Sequence, residues 1–191
     1  MPIPDPTKFN VTSGMESLFL HEAIPGHHYQ ISLQQENTAL PKFMRFGWFG
    51  AYGEGWAHYC ETLGPEFGLY TDPYQKMGYL SDQMLRAVRL VVDTGIHTGT
   101  MNREEAITYF LSNISYDEGS AIAEIERYMA MPGQALGYKI GSLKIRELRD
   151  RYSKELGSKF SLAKFHDEVL NQGCLPLNVL DRKMENWAKK Q

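Results

Sequence analysis

Helix start and stop signals divide this chain almost from end to end, and strand-type alternation of apolar and polar residues is hard to find between them. Thr71-Asp72-Pro73 predicts a helix start with proline at the first helical position, and this helix is expected to run to about Gly95. Asn102 and Glu105 form a capping box ahead of the next helix. Further helix signals follow after Ser115-Tyr116-Asp117, across Leu136–Tyr152, from Ser161 and from Pro176.

These signals predict an all-α fold with a single helical domain over residues 13–191, in which short strands are expected only near Phe43–Phe49. The chain has 191 residues, of which 42% are hydrophobic and 23% charged, and this is enough for one sizeable core. Prolines at alternate positions near the N-terminus block both helix and sheet hydrogen bonding. Residues 1–12 are therefore predicted to form an extended arm.

The charge and hydropathy of the chain exclude several classes of partner. The net charge is −3 and no basic run is interleaved with aromatic residues, so we expect no nucleic-acid binding. No stretch approaches the ~20 apolar residues of a membrane span. The start, Met1-Pro2-Ile3-Pro4-Asp5-Pro6, lacks the charged and apolar regions of a secretory signal. The chain as written is expected in the cytoplasm, or in the periplasm or secreted if a leader has been removed.

Three of the six histidines and a carboxylate lie in the stretch His21-Glu22-Ala23-Ile24-Pro25-Gly26-His27-His28-Tyr29-Gln30. Neutral imidazoles are common zinc ligands, and a carboxylate beside the first ligand can accept the proton of a zinc-activated water. In the usual H-E-x-x-H motif the two histidines lie one helical turn apart, whereas here the next histidine comes six residues on. The stretch therefore resembles a zinc-peptidase helix that carries an insertion, with Glu22 as the general base.

The insertion contains Pro25 and Gly26, and these two residues favour one choice of ligands. The ring of Pro25 clashes with the carbonyl group of His21 in a continuous helix, so the helix must bulge or kink there. Gly26 then lets the backbone return to a helical path. We predict that His21 and His27 bind zinc and keep His28 as the alternative to His27.

A second acidic segment begins about thirty residues after His21 and offers a third ligand. In it, Glu54, His58 and Glu61 are spaced by four and three residues, so they share one face of a helix. Two histidines and one glutamate leave the fourth position of a zinc ion open for water. We predict Glu54 as the third ligand, with His58 and Glu61 as alternates that could instead orient a ligand imidazole.

Four separated segments occur in a recognisable order: HEAIPGHHYQ, EGWAHYCETLG, RLVVDTGIHTG and ERYMAMPGQALGYKIG. Together they resemble the domain-of-unknown-function 885 (DUF885) family over about Gly14 to Leu180. The family consists of bacterial metallopeptidase-like proteins related in pattern to the gluzincin zinc proteases. The resemblance implies a mostly helical peptidase fold, a Zn²⁺ ion held at the positions of His21, His27 and Glu54, and a catalytic glutamate at Glu22.

Members of that family are considerably longer than this chain, and the four segments belong to their C-terminal catalytic part. The chain is therefore expected to be a fragment or a shortened form. Apolar faces that the N-terminal half covers in longer members would then be exposed, which favours a homo-oligomer in which a partner covers them.

Hydrolysis of a peptide substrate also needs a donor for the tetrahedral oxyanion and groups that hold the substrate. Tyr138 is the leading donor candidate because the glycines of the segment before it allow close backbone approach. His97 is a second catalytic candidate, and Asp93 could hold its imidazole. The candidates for substrate binding are Arg127, Tyr128 and Lys139.

Two functions other than a zinc peptidase remain open from the sequence. The chain could be a non-catalytic helical interaction or oligomerisation module that retains a vestigial metal site. Glutamates and histidines on facing helices also build di-iron carboxylate centres, but these use Glu-x-x-His on two helices, whereas Glu54 and His58 are four residues apart. Metal identity separates the peptidase from the di-iron protein, and metal affinity separates both from the interaction module.

Overall fold

The computed structural model describes residues 12–191, which form α-helices and short 3-10 helices and contain no strand. The all-α prediction is confirmed for this part of the chain. The 3-10 helices are Thr12–Gly14, Gly64–Phe67 and Gly157–Lys159. The α-helices are α1 (Met15–Glu22), α2 (His27–Glu36), α3 (Lys42–Arg45), α4 (Gly50–Glu61), α5 (Pro73–His97), α6 (Arg103–Asn113), α7 (Glu118–Ala130), α8 (Leu136–Leu156), α9 (Leu162–Leu170) and α10 (Leu177–Ala188).

The expectation of short strands near Phe43–Phe49 is wrong. The segment Lys42–Arg45 is a short helix, and Pro41 occupies its N-cap position in an extended conformation. A strand needs a neighbouring strand to satisfy its backbone groups, and the described residues offer none. The predicted arm over residues 1–12 lies outside the described residues except for Thr12, which begins a 3-10 helix.

Local capping chemistry sets the helix boundaries that the sequence predicts. Asp72 caps α5 and accepts a hydrogen bond from the backbone N–H of Tyr74, and the helix then runs on to His97. Asn102 and Glu105 form the predicted capping box at the start of α6.

In the described part of the chain no helix is both long and apolar enough to cross a membrane.

Two helices, α4 and α8, cross in backbone contact. A Cβ atom on Gly55 would lie 2.4 Å from the Cα atom of Gly141, and a Cβ atom on Gly141 would lie 1.7 Å from the carbonyl oxygen of Ala51. Any larger residue at these positions would push the two helices apart. Glycine therefore sets how deeply α4, the helix of Glu54 and Glu61, packs into the molecule.

Two apolar clusters form the core, and a polar layer lies beside them. The first cluster joins α4, α8, α9 and α10 and includes the fully buried Trp56, Ile145 and Leu180. The second joins α5, α6 and α7 and includes Val92 and Phe110. The polar layer, in which α1 contacts both α4 and α5, holds the buried side chains of His21, His58, Glu61, Arg89 and Asp93.

Candidate metal centre

The break between α1 and α2 brings two predicted ligands together. α1 ends at Glu22 and α2 begins at His27, so the chain forms two separate helices at the position where the sequence predicts a bulge or kink. A Cβ atom on Gly26 would lie 1.9 Å from the carbonyl oxygen of His21, so this approach requires glycine. As a result, the rings of His21 and His27 meet edge to face with their centroids 4.8 Å apart.

The turn between the two helices is also tied to α4. The Ile24–Pro25 peptide bond in this turn is cis. The indole Nε1–H of Trp56, a residue that is 1% exposed, donates a hydrogen bond to the carbonyl oxygen of Pro25 at 2.8 Å. This bond fixes the turn against the helix that carries Glu54.

His21, His27 and Glu54 form a group that could hold a metal ion, because one ligand atom from each lies within 4.8 Å of the others. The Nε2 atom of His27 is 3.2 Å from Oε2 of Glu54, and the Nε2 atom of His21 is 3.7 Å from the same oxygen. Two donors bound at about 2.0–2.1 Å to one tetrahedral ion lie roughly 3.3 Å apart. The two distances to Glu54 are therefore close to those around a single small cation, whereas the ligand atoms of the whole group lie within 4.8 Å and must draw together to bind one.

Both imidazoles have their second nitrogen engaged by a side-chain oxygen. The Nδ1–H of His21 donates to Oε1 of Glu61 at 2.7 Å, and the Nδ1–H of His27 donates to Oε1 of Gln30 at 3.3 Å. When the imidazoles are neutral, this tautomer leaves the lone pairs of the two Nε2 atoms to a ligand. Outer partners of this kind are typical of histidines that bind metal ions.

Glu61 itself is held from two further sides. It is 1% exposed, and its Oε2 atom accepts hydrogen bonds from Nδ1 of His58 at 3.0 Å and from Nε2 of Gln83 at 3.1 Å. Lys139 in turn donates to Oε1 of Gln83 at 2.9 Å. A continuous chain of hydrogen bonds thus runs from α8 through α5 and α4 to His21.

Burial and hydrogen bonding shift the pKa values of this group in opposite directions. Burial would lower the pKa of His21, but its hydrogen bonds to Glu54 and Glu61 outweigh burial and raise that pKa to about 9. Burial would raise the pKa of Glu54, whereas its contacts with His21 and His27 hold it at about 2. The positive charge of the protonated imidazole thus compensates the negative charge of the carboxylates. A divalent cation bound here would displace the proton and compensate that charge instead.

The alternates from the sequence lie around the group rather than in it. His28 follows His27 on α2 and is exposed. His58 and Glu61 are buried and contact each other, and Glu61 also contacts Nδ1 of His21. Glu22 is the exposed last residue of α1, directly after His21.

Tyr138 lies beside the group from the α8 side. Its ring is stacked nearly parallel to the ring of His21, with an interplanar angle of 17° and a centroid distance of 6.3 Å. The guanidinium groups of Arg89 and Arg86 lie 5.0 Å and 5.8 Å from the centre of the Tyr138 ring. Tyr138 therefore stands between the histidines and two cationic side chains of α5.

The remaining predicted residues form a hydrogen-bonded cluster between α5 and α7. His97 donates from Nε2 to the carbonyl oxygen of Tyr128 at 3.0 Å. The hydroxyl group of Tyr128 accepts from Nε of Arg89 at 2.9 Å and donates to Glu124. Arg127 donates to Oε1 of Gln134 at 2.6 Å. Through Arg89 this cluster reaches Tyr138, while Lys139 belongs to the chain of hydrogen bonds that ends at Glu61.

Sequence reasoning missed several residues that the fold places at the centre. Gln30 has a usable signal, since it follows His27 by three residues and so shares its helix face. Arg86 and Arg89 have no such signal, because arginine on a helix is usually solvated. Trp48, whose ring lies 5.8 Å from that of His27, belongs to the segment for which the sequence predicts only short strands.

The fold and the site define an all-α protein with a two-histidine, one-glutamate candidate metal centre between three of its helices. Residues 2–184 match the family described as bacterial protein of unknown function, DUF885, and the chain belongs to that family. The resemblance seen in the sequence is thereby confirmed at the level of the family. None of the curated proteins compared with the chain matches it.

Two solved structures are similar to this chain. A protein of Colwellia psychrerythraea is 48% identical, with a TM-score of 0.91 over 94% of this chain. A protein of Shewanella oneidensis is 28% identical, with a TM-score of 0.80 over 90% of this chain. Each is described as a putative lipoprotein, the second as one of unknown function. The chain spans 31% of the length of each of these proteins.

Proposed function

We propose that this chain is the catalytic part of a zinc-dependent peptidase, a hydrolase that cleaves peptide bonds with Glu22 as general base. The observation that carries the proposal is the convergence of two Nε2 atoms and one carboxylate oxygen, while both Nδ1 atoms are held by Glu61 and Gln30. One hydrogen-bond partner can hold a core histidine in place, whereas both histidines here also turn Nε2 toward one shared carboxylate oxygen.

The donor set favours zinc and a catalytic rather than a structural site. Two imidazoles and one carboxylate are a common ligand set of hydrolytic zinc ions, and three protein ligands leave one position open. Di-iron centres use several carboxylates, whereas this group contains only Glu54. A zinc ion bound here would supply Lewis acidity and lower the pKa of a water molecule to about 7.

The residues around the group can be given roles in peptide hydrolysis. The carboxylate of Glu22 is exposed at the end of α1, next to a ligand, and accepts the proton of the attacking water. The hydroxyl group of Tyr138 donates to the oxyanion that forms on the substrate carbonyl. We prefer Tyr138 to His97 in this role, because His97 is engaged with the backbone of Tyr128.

Arg127, Tyr128 and Lys139 stay predictions as substrate-binding residues. In the structure, Arg127 and Lys139 donate hydrogen bonds to glutamine side chains. Tyr128 is only 1% exposed. These contacts favour a supporting role for the three residues, in which they hold α5, α7 and α8 around Tyr138.

Purified wild-type chain, Glu22→Gln and His21→Ala should be compared for zinc content and for cleavage of an internally quenched peptide library. We expect about one zinc per chain in the wild type and in Glu22→Gln, little zinc in His21→Ala, and cleavage by the wild type alone. His28→Ala is the matched control and should keep both zinc and activity. Wild-type chain that refuses added zinc, or Glu22→Gln with full activity, would overturn the proposal.

The relatives support a proposal about where the protein acts. Both solved relatives carry a lipoprotein description, so we propose that this protein also acts outside the cytoplasm. Fractionation of cells that express the complete gene should find the protein with the envelope, and recovery from the cytoplasm would contradict this.

The relatives are about three times as long as this chain, since it spans 31% of each. Met77, Leu80 and Met84 on α5 are 66%, 49% and 47% exposed, although they follow each other at helical spacing. We propose that the additional part of a longer chain covers this face, so that the oligomer expected from the sequence does not form. Light scattering on a chain as long as the relatives should therefore report a monomer, and a stable dimer of that longer chain would favour the oligomer.

A further inference from the structure

Four aromatic side chains are exposed on the short segment between α2 and α4, next to the candidate metal centre. Phe43 and Phe46 are 77% and 63% exposed, and Trp48 and Phe49 are each 47% exposed. Aromatic residues clustered on a surface are a common mark of a binding site, whereas scattered single ones need no explanation. The segment is therefore a candidate surface for an apolar group.

Three of these aromatic residues, Phe43, Trp48 and Phe49, line a cavity of about 380 Å³. Small-molecule and side-chain sites in proteins begin at about 300 Å³, so the cavity has room for a large side chain but not for a folded partner. None of its lining residues carries a charged or an amide side chain. They are Phe43, Met44, Gly47, Trp48, Phe49, Cys174, Leu175 and Pro176.

The walls of the cavity are held in place by buried hydrogen bonds. The side-chain amide of Gln34, a residue that is 4% exposed, donates to the carbonyl oxygens of Met44 and Gly47 at 2.7 Å and 2.9 Å. The backbone N–H of Phe49 donates to Sγ of Cys174 at 3.0 Å, which joins two further lining residues. The cavity is thus preformed, so little conformational entropy is lost when it is filled.

Trp48 connects this cavity to the metal centre. Its ring lies 5.8 Å from that of His27, and a Cβ atom on Gly53 would lie 2.1 Å from the same ring. Gly53 directly precedes Glu54, so the indole packs on the backbone next to one ligand and beside the imidazole of another. A peptide whose carbonyl group reaches the metal centre would therefore have a neighbouring side chain within reach of the cavity.

We infer that the cavity lined by Phe43 and Trp48 is a specificity site. It receives a large apolar side chain, aromatic or long aliphatic, from a residue flanking the scissile bond. This inference rests on the proposed peptidase function and adds its substrate class. The lining carries no charge that could compensate an acidic or basic side chain, and burying such a group unpaired is unfavourable. Small side chains would leave the cavity partly empty.

Cleavage is measured with zinc-loaded protein and a set of quenched peptides that carry Phe, Leu, Ala or Asp at one position in a glycine-serine background. The kcat/KM values should be at least about tenfold higher for Phe and Leu than for Ala or Asp. Phe43→Ala should reduce that ratio severalfold. Phe46→Ala removes another exposed ring of the same segment, one that does not line the cavity, and it should leave the ratio unchanged.

A second readout needs neither metal nor catalysis. Titration of metal-free chain with N-acetylphenylalaninamide should shift the backbone amide resonances of residues 43–49 and 174–175, and Phe43→Ala should weaken this binding. Cleavage without apolar preference would overturn the inference but leave the proposed function standing. Absence of cleavage by zinc-loaded protein would overturn the proposed function, while the titration would still decide what the cavity binds. If Phe43→Ala dissociates a dimer and changes neither readout, a second copy occupies the cavity and the inference fails.

Discussion

The Nδ1 atom of His21 and the Oε1 atom of Glu61 lie 2.7 Å apart in the protein interior, although forty residues separate them in the sequence. Burial would raise the pKa of Glu61, but hydrogen bonds from His21 and His58 hold it at about 2, so the carboxylate is charged at neutral pH. A charged acceptor on Nδ1 makes the imidazole a stronger ligand through Nε2. The pair therefore links the buried polar layer to the candidate metal centre.

Replacement of Glu61 by Gln should weaken zinc binding by about 10–100-fold, because the neutral amide orients and polarises the His21 ring less well. The affinity is measured by competition with a chromophoric chelator, and thermal unfolding of the metal-free variant establishes that it folds. Glu36→Gln changes an exposed carboxylate at the end of α2 and serves as the control. Equal zinc affinity in Glu61→Gln and wild type would show that Glu61 does not support the centre.

Gly26→Ala should destabilise the chain by about 1–3 kcal/mol and strongly reduce its zinc affinity. The added methyl group would meet the carbonyl oxygen of His21 at 1.9 Å, so the turn must open and separate the two histidines. Urea unfolding and zinc titration measure the two effects. Gly50→Ala is the control, since a Cβ atom there has no neighbour within 4 Å. A Gly26→Ala protein with native stability and affinity would refute the role of this turn.

Tyr138→Phe should lower kcat by about 10²–10³-fold if the hydroxyl group is the oxyanion donor, and it should leave zinc affinity unchanged. The ring remains in place to stack on His21, so the substitution removes only the donor. Steady-state kinetics on a cleaved peptide, with zinc content measured in parallel, test this expectation. Tyr152→Phe removes a hydroxyl group from the same helix in the first apolar cluster and should have little effect on kcat.

The contribution of His166 to stability should fall between pH 7 and pH 5. Burial, aided by the charge of Arg149, lowers the pKa of His166 from 6.5 to about 4, and its Nε2 atom accepts a hydrogen bond from the hydroxyl group of Tyr59 at 2.8 Å. In this pH window the unfolded chain binds a proton that the folded chain does not, so the free energy of unfolding decreases as pH falls. The contribution lost at pH 5 is at most about 2 kcal/mol.

His166→Gln keeps an acceptor for Tyr59 but removes the titration. The difference in the free energy of unfolding between pH 7 and pH 5, measured with urea, should be smaller in this variant than in the wild type. Equal differences in both proteins would mean that other groups account for the acid sensitivity.

Local chemistry made much of the fold predictable. The proline after Asp72 and the capping box from Asn102 to Glu105 satisfy backbone groups within one turn, so they mark helix starts without any tertiary contact. The segment Phe43–Phe49 was predicted incorrectly because its aromatic residues suit a strand as well as a short helix. Only the absence of a neighbouring strand in the described residues decides between the two.

The amino-acid sequence by itself determined the helical class and the family, and it supplied the histidines and glutamates from which a metal centre can be built. The tertiary structure decided how those residues meet. His27 rather than His28 faces Glu54, because the backbone at Gly26 packs against the carbonyl group of His21. Glu61 lies behind His21, because α1 packs on α4 at that level. Spacing along a helix fixes which side chains share a face, but only the packing of one helix on another fixes which faces meet.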